Sequence, residues 1–256
     1  MDFLNQLETA TSKVDQDPIT IIFAIIAGIV PSILWLVFWL REDKERPEPK
    51  GLLFLTFVGG MISVMLVLPL QKFADSTFRG DYSTLVLIWA GIEEVVKFFI
   101  VYIIALRSRI TDEPIDFAVY CITGALGFAA LENALFLIQP IAVSDTVVGL
   151  LTGNLRFLGA TLLHGVSTSI IGIMLGITFG RGFFRKSVAL LFGLFLSISL
   201  HGIFNLFIIR DSSQLWSTFG MLWAAAVIII LLFEKLRRMS ADLAAERGEL
   251  AQNIHG

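Results

Sequence analysis

The sequence predicts an all-α fold: a polytopic transmembrane helical bundle of about seven spans. Three observations predict it. Of 256 residues, 56% are hydrophobic and only 16% charged, with a mean hydropathy of +0.81, whereas a soluble domain is about half apolar and about a quarter charged. The apolar residues fall into stretches of roughly 20, the length at which a helix crosses a bilayer core. The connections between stretches are short, so no soluble domain is inserted. The same composition excludes a disordered chain. A net charge of −3 excludes a basic nucleic-acid binder. A single cysteine, Cys121, excludes a disulfide framework.

The spans follow in order. Residues 1–17 carry Asp2, Glu8, Asp15 and Asp17 against Lys13 alone. That flank, and the length of the first apolar run over 18–40, argue against a cleaved signal. The second span, 51–70, is apolar throughout. The third, 84–106, contains Glu93, Glu94 and Lys97. The fourth, 117–139, contains Glu132 and Asn133, with Cys121 read as packing. The fifth, 156–180, opens on Arg156 and contains His164. Its Gly172, Gly176 and Gly180 are spaced by four, which lets another backbone approach closely. Packing inside the bundle is preferred to a dimer face, and Gly124 and Gly127 read the same way. The sixth, 187–208, contains His201 and Asn205, and the seventh covers 215–233. Residues 234–256 read as a short amphipathic helix with Leu236, Met239, Leu243 and Leu250 toward one side.

Lys and Arg in the loops set the orientation. One side holds Arg41, Lys44, Arg46, Lys50, Arg107, Arg109, Arg181, Arg185, Lys186, Lys235, Arg237, Arg238 and Arg247. The other holds Lys13, Lys72, Arg79, Arg156 and Arg210, so the bias is 13 to 5. The N-terminal segment, 1–17, is expected outside the cell and the tail, 234–256, in the cytoplasm.

A charge at mid-bilayer costs about 2.5–3.5 kcal/mol on insertion scales, so such groups face the bundle interior or a wet cavity. Their depths agree. At 1.5 Å rise per residue, Glu93 lies roughly 13 Å and His164 about 12 Å from the outer helix ends, and Glu132 and His201 about 10 Å. Four helices therefore put costly groups at one level in the outer half of the membrane. Spacing by four also pairs Glu93 with Lys97, His164 with Thr168 and His201 with Asn205 on single faces. Singly, each residue has a plainer reading. A lone histidine packs, Glu93 and Lys97 neutralise each other, and Asn133 and Asn205 are interhelical glue. The shared depth favours one site.

Two imidazoles and one or more carboxylates form a zinc-type set, in which three protein ligands leave a position for water and a spare glutamate takes the water's proton. A metal-free version is equally open. There, a desolvated glutamate acts as general base, with Asn205 and a histidine donating to the oxyanion. Both versions hydrolyse a carbonyl inside the membrane.

At these residues the chain resembles a known family. Glu93-Glu94-Val95-Val96-Lys97 matches the EExxK motif of the PrsW intramembrane proteases. Gly127 to Asn133 matches the GFxxxEN segment, Arg156 with His164 the R…H helix, and His201-Gly202-Ile203-Phe204-Asn205 the HGxxN segment. The resemblance implies a protease domain over 18–233 with its core in 84–208. It implies a multi-pass protein of the bacterial cytoplasmic membrane, distantly similar to CAAX prenyl endopeptidases and to Aph-1. Its implied substrate is a membrane protein, such as a single-span anti-sigma factor cut near the extracytoplasmic side. Glu132 stands where the CAAX relatives carry a histidine.

Carried over, the resemblance makes Glu93, Glu94, Glu132, His164, His201 and Asn205 the catalytic set. Glu93, His164 and His201, with Glu132 as an optional further ligand, would hold Zn2+ if a metal is used. Lys97, Asn133 and Arg156 support them. The connection over 141–154 could act as a lid or as a passive loop. Two other functions compete: an ion- or proton-coupled transporter, and a non-catalytic scaffold like Aph-1.

Overall fold

The structure is a computed structural model that describes residues 18–41, 46–78, 80–142, 159–210 and 215–255. Its α-helices are α1 (Pro18–Leu40), α2 (Lys50–Thr77), α3 (Tyr82–Val101), α4 (Pro114–Ala142), α5 (Thr161–Ile177), α6 (Phe183–Arg210) and α7 (Leu215–His255). A π-helical turn, Tyr102–Leu106, closes α3. The described residues thus form a helical membrane bundle, as expected. Five helices (α1, α2, α4, α6 and α7) are long and apolar enough to cross a bilayer. The other two differ for physical reasons: α3 carries Glu93, Glu94 and Lys97, and α5 has only 17 residues. These two helices also supply much of the polar interior.

Helix α4 is the central post. It is buried over 89% of its most apolar window, against 17% for α1. Its Ile115, Ala118, Val119, Ile122, Leu126 and Ala130 pack with Leu162, Leu163 and Val166 of α5. In a bilayer the outer faces meet lipid, so close helix contact depends on small residues rather than on hydrophobic burial. Gly60 of α2 sits against the Gly124 carbonyl, and Gly127 sits against Phe57. A side chain at either position would collide with the opposing backbone.

The expected glycine stripe divides into two roles. Gly172 and Gly176 press on α4 at Phe117 and Pro114, which is packing inside the bundle. Gly180 touches nothing that a Cβ would meet and has φ 72°. It turns the chain toward α6 in the left-handed region that favours glycine.

Most boundaries shift by a few residues from expectation, and three of the differences matter. Helix α2 runs to Thr77, past residue 70. Helix α5 starts at Thr161, while Arg156 and residues 143–158 lie outside the described residues. The tail is no separate helix, because α7 continues unbroken to His255. Leu222, Ala226, Ile229, Phe233 and Leu236 form one inward stripe across the expected boundary, with the spacing of an amphipathic face. Leu236 also fills the space beside Gly176.

Candidate active site

The inward stripe of α3 is Val86, Ala90, Glu93, Glu94, Lys97 and Val101. The spacing of three and four that would bury an apolar ridge instead carries the ionisable groups into the bundle. Adjacent residues on a helix diverge by about 100°, so Glu93 and Glu94 reach different neighbours.

Glu94 is fully buried and accepts from five side chains. They are Lys97 Nζ, Ser167 Oγ at 3.1 Å, Thr168 Oγ1 at 2.8 Å, Ser197 Oγ at 2.8 Å and His201 Nδ1 at 2.7 Å. This carboxylate ties α3 to α5 and α6. Burial of a charge is tolerated only with such pairing.

Glu93 is different. Its Oε1 accepts from Gln71 Nε2 of α2 at 2.9 Å, while its buried Oε2 has no hydrogen bond. That oxygen lies 3.6 Å from His201 Nε2, too far for a hydrogen bond.

The two imidazoles meet edge to face, with ring centroids 5.0 Å apart. His201 donates through Nδ1 to Glu94, which leaves the Nε2 lone pair facing Glu93. His164 is held from both sides: Nδ1 lies 3.1 Å from Lys97 Nζ, and Nε2 lies 2.9 Å from Glu132 Oε2. An ammonium can only donate, so Nδ1 accepts from Lys97 and the ring proton sits on Nε2, donated to Glu132. The Glu132 side chain is 15% exposed, more than those of Glu93 and Glu94.

The structure therefore gathers Glu93, Glu94, Lys97, Glu132, His164 and His201 from α3, α4, α5 and α6. It corrects one expected pair: Lys97 forms its ion pair with Glu94 rather than Glu93. The reason is that Lys97 and Glu94 share the side of α3 that faces His164. Asn133 donates to Thr161 Oγ1 at 2.8 Å and joins α4 to α5. Asn205 is partly exposed on α6, and no hydrogen bond to it is found among the described residues. Cys121 is buried beside Tyr120 and Val101 as packing. Arg156 and nearly all of the 141–154 connection fall outside the described residues.

Three polar partners had not been singled out from sequence. Gln71 lies one residue beyond the expected end of the second span and so passed as loop. Ser167 and Ser197 are small hydroxyls in apolar runs, where bonding to a preceding carbonyl is an ordinary alternative. Gln71 alone carried a usable signal, as an amide continuing the buried stripe Ser63, Val64, Val67, Gln71 and Ala74.

The donor set fits a metal. Glu93, His164 and His201 each offer a ligand atom, all within 4.8 Å of one another. Glu93 Oε2 is buried with no partner. His201 has the carboxylate on its far nitrogen that metal-ligating histidines use. His164 is the least preset arm, because ligation through Nε2 requires its proton to leave that nitrogen.

The chain is similar in sequence to known proteins. The chain is similar to Protease PrsW of Geobacillus kaustophilus (strain HTA426), 27% identical over 186 residues, covering 71% of this chain and 77% of the relative. It is similar to Protease PrsW of Bacillus subtilis (strain 168), 29% identical over 201 residues, covering 76% and 87%. Protease PrsW of Clostridioides difficile (strain 630) is 32% identical over 121 residues, covering 44% and 49%. No solved structure matches the chain. Residues 48–233, which include every helix contributing to the polar cluster, match the PrsW family of intramembrane metalloproteases, and the chain belongs to that family.

Proposed function

We propose that this intramembrane protease cuts a peptide bond near the extracytoplasmic side of the bacterial cytoplasmic membrane, with a zinc ion held by Glu93, His164 and His201. Its substrate is a single-span membrane protein of the anti-sigma-factor type. The observation that carries the proposal is the buried, unpartnered Glu93 Oε2 facing the free nitrogen of His201. A buried carboxylate oxygen without a donor is costly, and a cation that both groups ligate relieves it. The seven helices serve as seven spans with the N-terminal segment outside, in line with the 13 to 5 bias of basic residues.

When bound, a divalent ion lowers the pKa of its water toward about 7 and polarises the scissile carbonyl. The chain's own groups do the rest. Glu94 holds His201 in the tautomer that leaves Nε2 free. Lys97 balances the Glu94 charge. Glu132, the more open acid beside His164, takes the proton from the attacking water and returns it to the leaving amine. Asn205, partly exposed on α6, donates to the carbonyl oxygen as it becomes an oxyanion. Asn133 fixes α4 against α5. The apolar bundle keeps bulk water out.

The test uses the full chain in bacterial membranes with its cognate anti-sigma substrate. Glu93→Gln and His201→Ala are expected to assemble normally, cleave nothing and lose bound zinc. A chelator is expected to stop the wild type, and zinc to restore it. Normal processing by both variants overturns the proposal. Retained cleavage with loss of a partner complex points instead to a scaffold.

A further inference from the structure

Gln71 occupies a place that packing alone would fill with an apolar side chain. It continues the buried stripe of α2, two residues after Pro69, and its own neighbours in sequence are Leu70 and Lys72. The residue is 8% exposed. An amide buried at such a position is unfavourable unless hydrogen-bonded. Its bond goes to Glu93 Oε1 at 2.9 Å, across a helix boundary.

The consequence lies in the other oxygen. A glutamate carboxylate, carried on three side-chain torsions, can rotate and can ligate through either oxygen or both. With Oε1 occupied by the Gln71 amide, rotation is arrested and Oε2 alone remains, aimed at His201 Nε2 at 3.6 Å. His201 has the matching device, with Nδ1 held by Glu94 and Nε2 free. Each of these two groups thus has one atom tethered from behind and one presented. Partners that orient metal ligands in this way are worth roughly 10–100-fold in metal affinity.

We infer that Gln71 is a positioning residue that holds Glu93 monodentate toward the metal and makes α2 part of the site. The inference rests on the proposed zinc set. Gln71→Met keeps side-chain length and removes the donor. In the full-length protein in detergent, zinc affinity is measured by competition with a chromogenic chelator. The visible ligand-field bands of added Co2+ are recorded in parallel. Expected are a roughly 10–100-fold loss of zinc affinity and shifted cobalt bands, with thermal stability close to wild type. Phe73→Met, on the exposed side of α2, keeps wild-type values. A merely structural Gln71 would lower the melting temperature and leave affinity and bands unchanged, which overturns the inference. If Gln71→Met fails to fold, Gln71→Ser, which is too short to reach Glu93, carries the same measurement. A wild type that binds neither zinc nor cobalt overturns the zinc set and this inference together. Unchanged affinity in the variant beside tight wild-type binding overturns the inference alone.

Discussion

Two groups of buried acids lie at different levels along α4, one at its N-terminal end and one beside its middle, and they are treated differently. At its N-terminal end, Glu113 pairs with Arg46, and Glu48 accepts from the Tyr120 hydroxyl. Asp116 Oδ2 caps the Asp112 and Glu113 amides at 2.9 Å each. Nearby, Arg247 reaches Asp112, and Ser240 accepts from the Ile115 amide at 3.2 Å. This set pins the 46–49 loop and the end of α7 to the start of α4. Beside the middle of α4, at the level of Phe128, Glu94 is satisfied just as thoroughly, yet its neighbour Glu93 keeps one buried oxygen open. Saturated acids hold helices and loops together. The unsaturated acid, Glu93, is the one we propose holds the metal.

The largest effect expected from this contrast is on activity. Glu93→Gln should fold, lose bound zinc and show no cleavage, measured as substrate turnover in reconstituted membranes. An equal loss of folded protein would erase the distinction between the two neighbours. Glu94→Ala should act through stability instead. It strands the buried Lys97 charge, at a cost of about 3–5 kcal/mol, read as a fall in melting temperature or in accumulation.

Smaller effects sharpen the contrast. Gly127→Ala forces α4 off the Phe57 backbone and should destabilise by about 1–3 kcal/mol, checked by thermal unfolding. Tyr120→Phe removes the donor to Glu48 and should also cost about 1–3 kcal/mol, with turnover per folded molecule unchanged. Arg247→Ala breaks a half-exposed pair and should shift stability by less than about 1 kcal/mol. Loss of turnover in Tyr120→Phe or Arg247→Ala would mean that the two acid groups are coupled.

Much of this was legible in the residues. Lengths of apolar runs located all seven α-helices found among the described residues. The stripe of α3 and the EExxK spacing brought Glu93, Glu94 and Lys97 forward, and HGxxN did so for His201. What escaped was which acid meets which base. Residues 94 and 97 share a helix face as readily as 93 and 97 do, so spacing alone cannot choose Lys97's partner. Gln71 escaped because hydropathy ends a span where apolar residues end, whereas α2 continues to Thr77, about two turns farther. The continuity of α7 through residue 234 escaped because charges on its outer face look like a boundary when the inward stripe of Phe233 and Leu236 is not yet known to be buried.

Composition and the lengths of the apolar runs by themselves determined that this is a helical membrane protein, because lipid admits few other solutions to backbone hydrogen bonding; the motifs added the resemblance to the PrsW family. Only the tertiary structure decided how two neighbouring glutamates differ. Which carboxylate oxygen finds a donor depends on side chains from α2, α5 and α6, far apart in sequence and brought together by close packing at Gly60, Gly127 and Gly172.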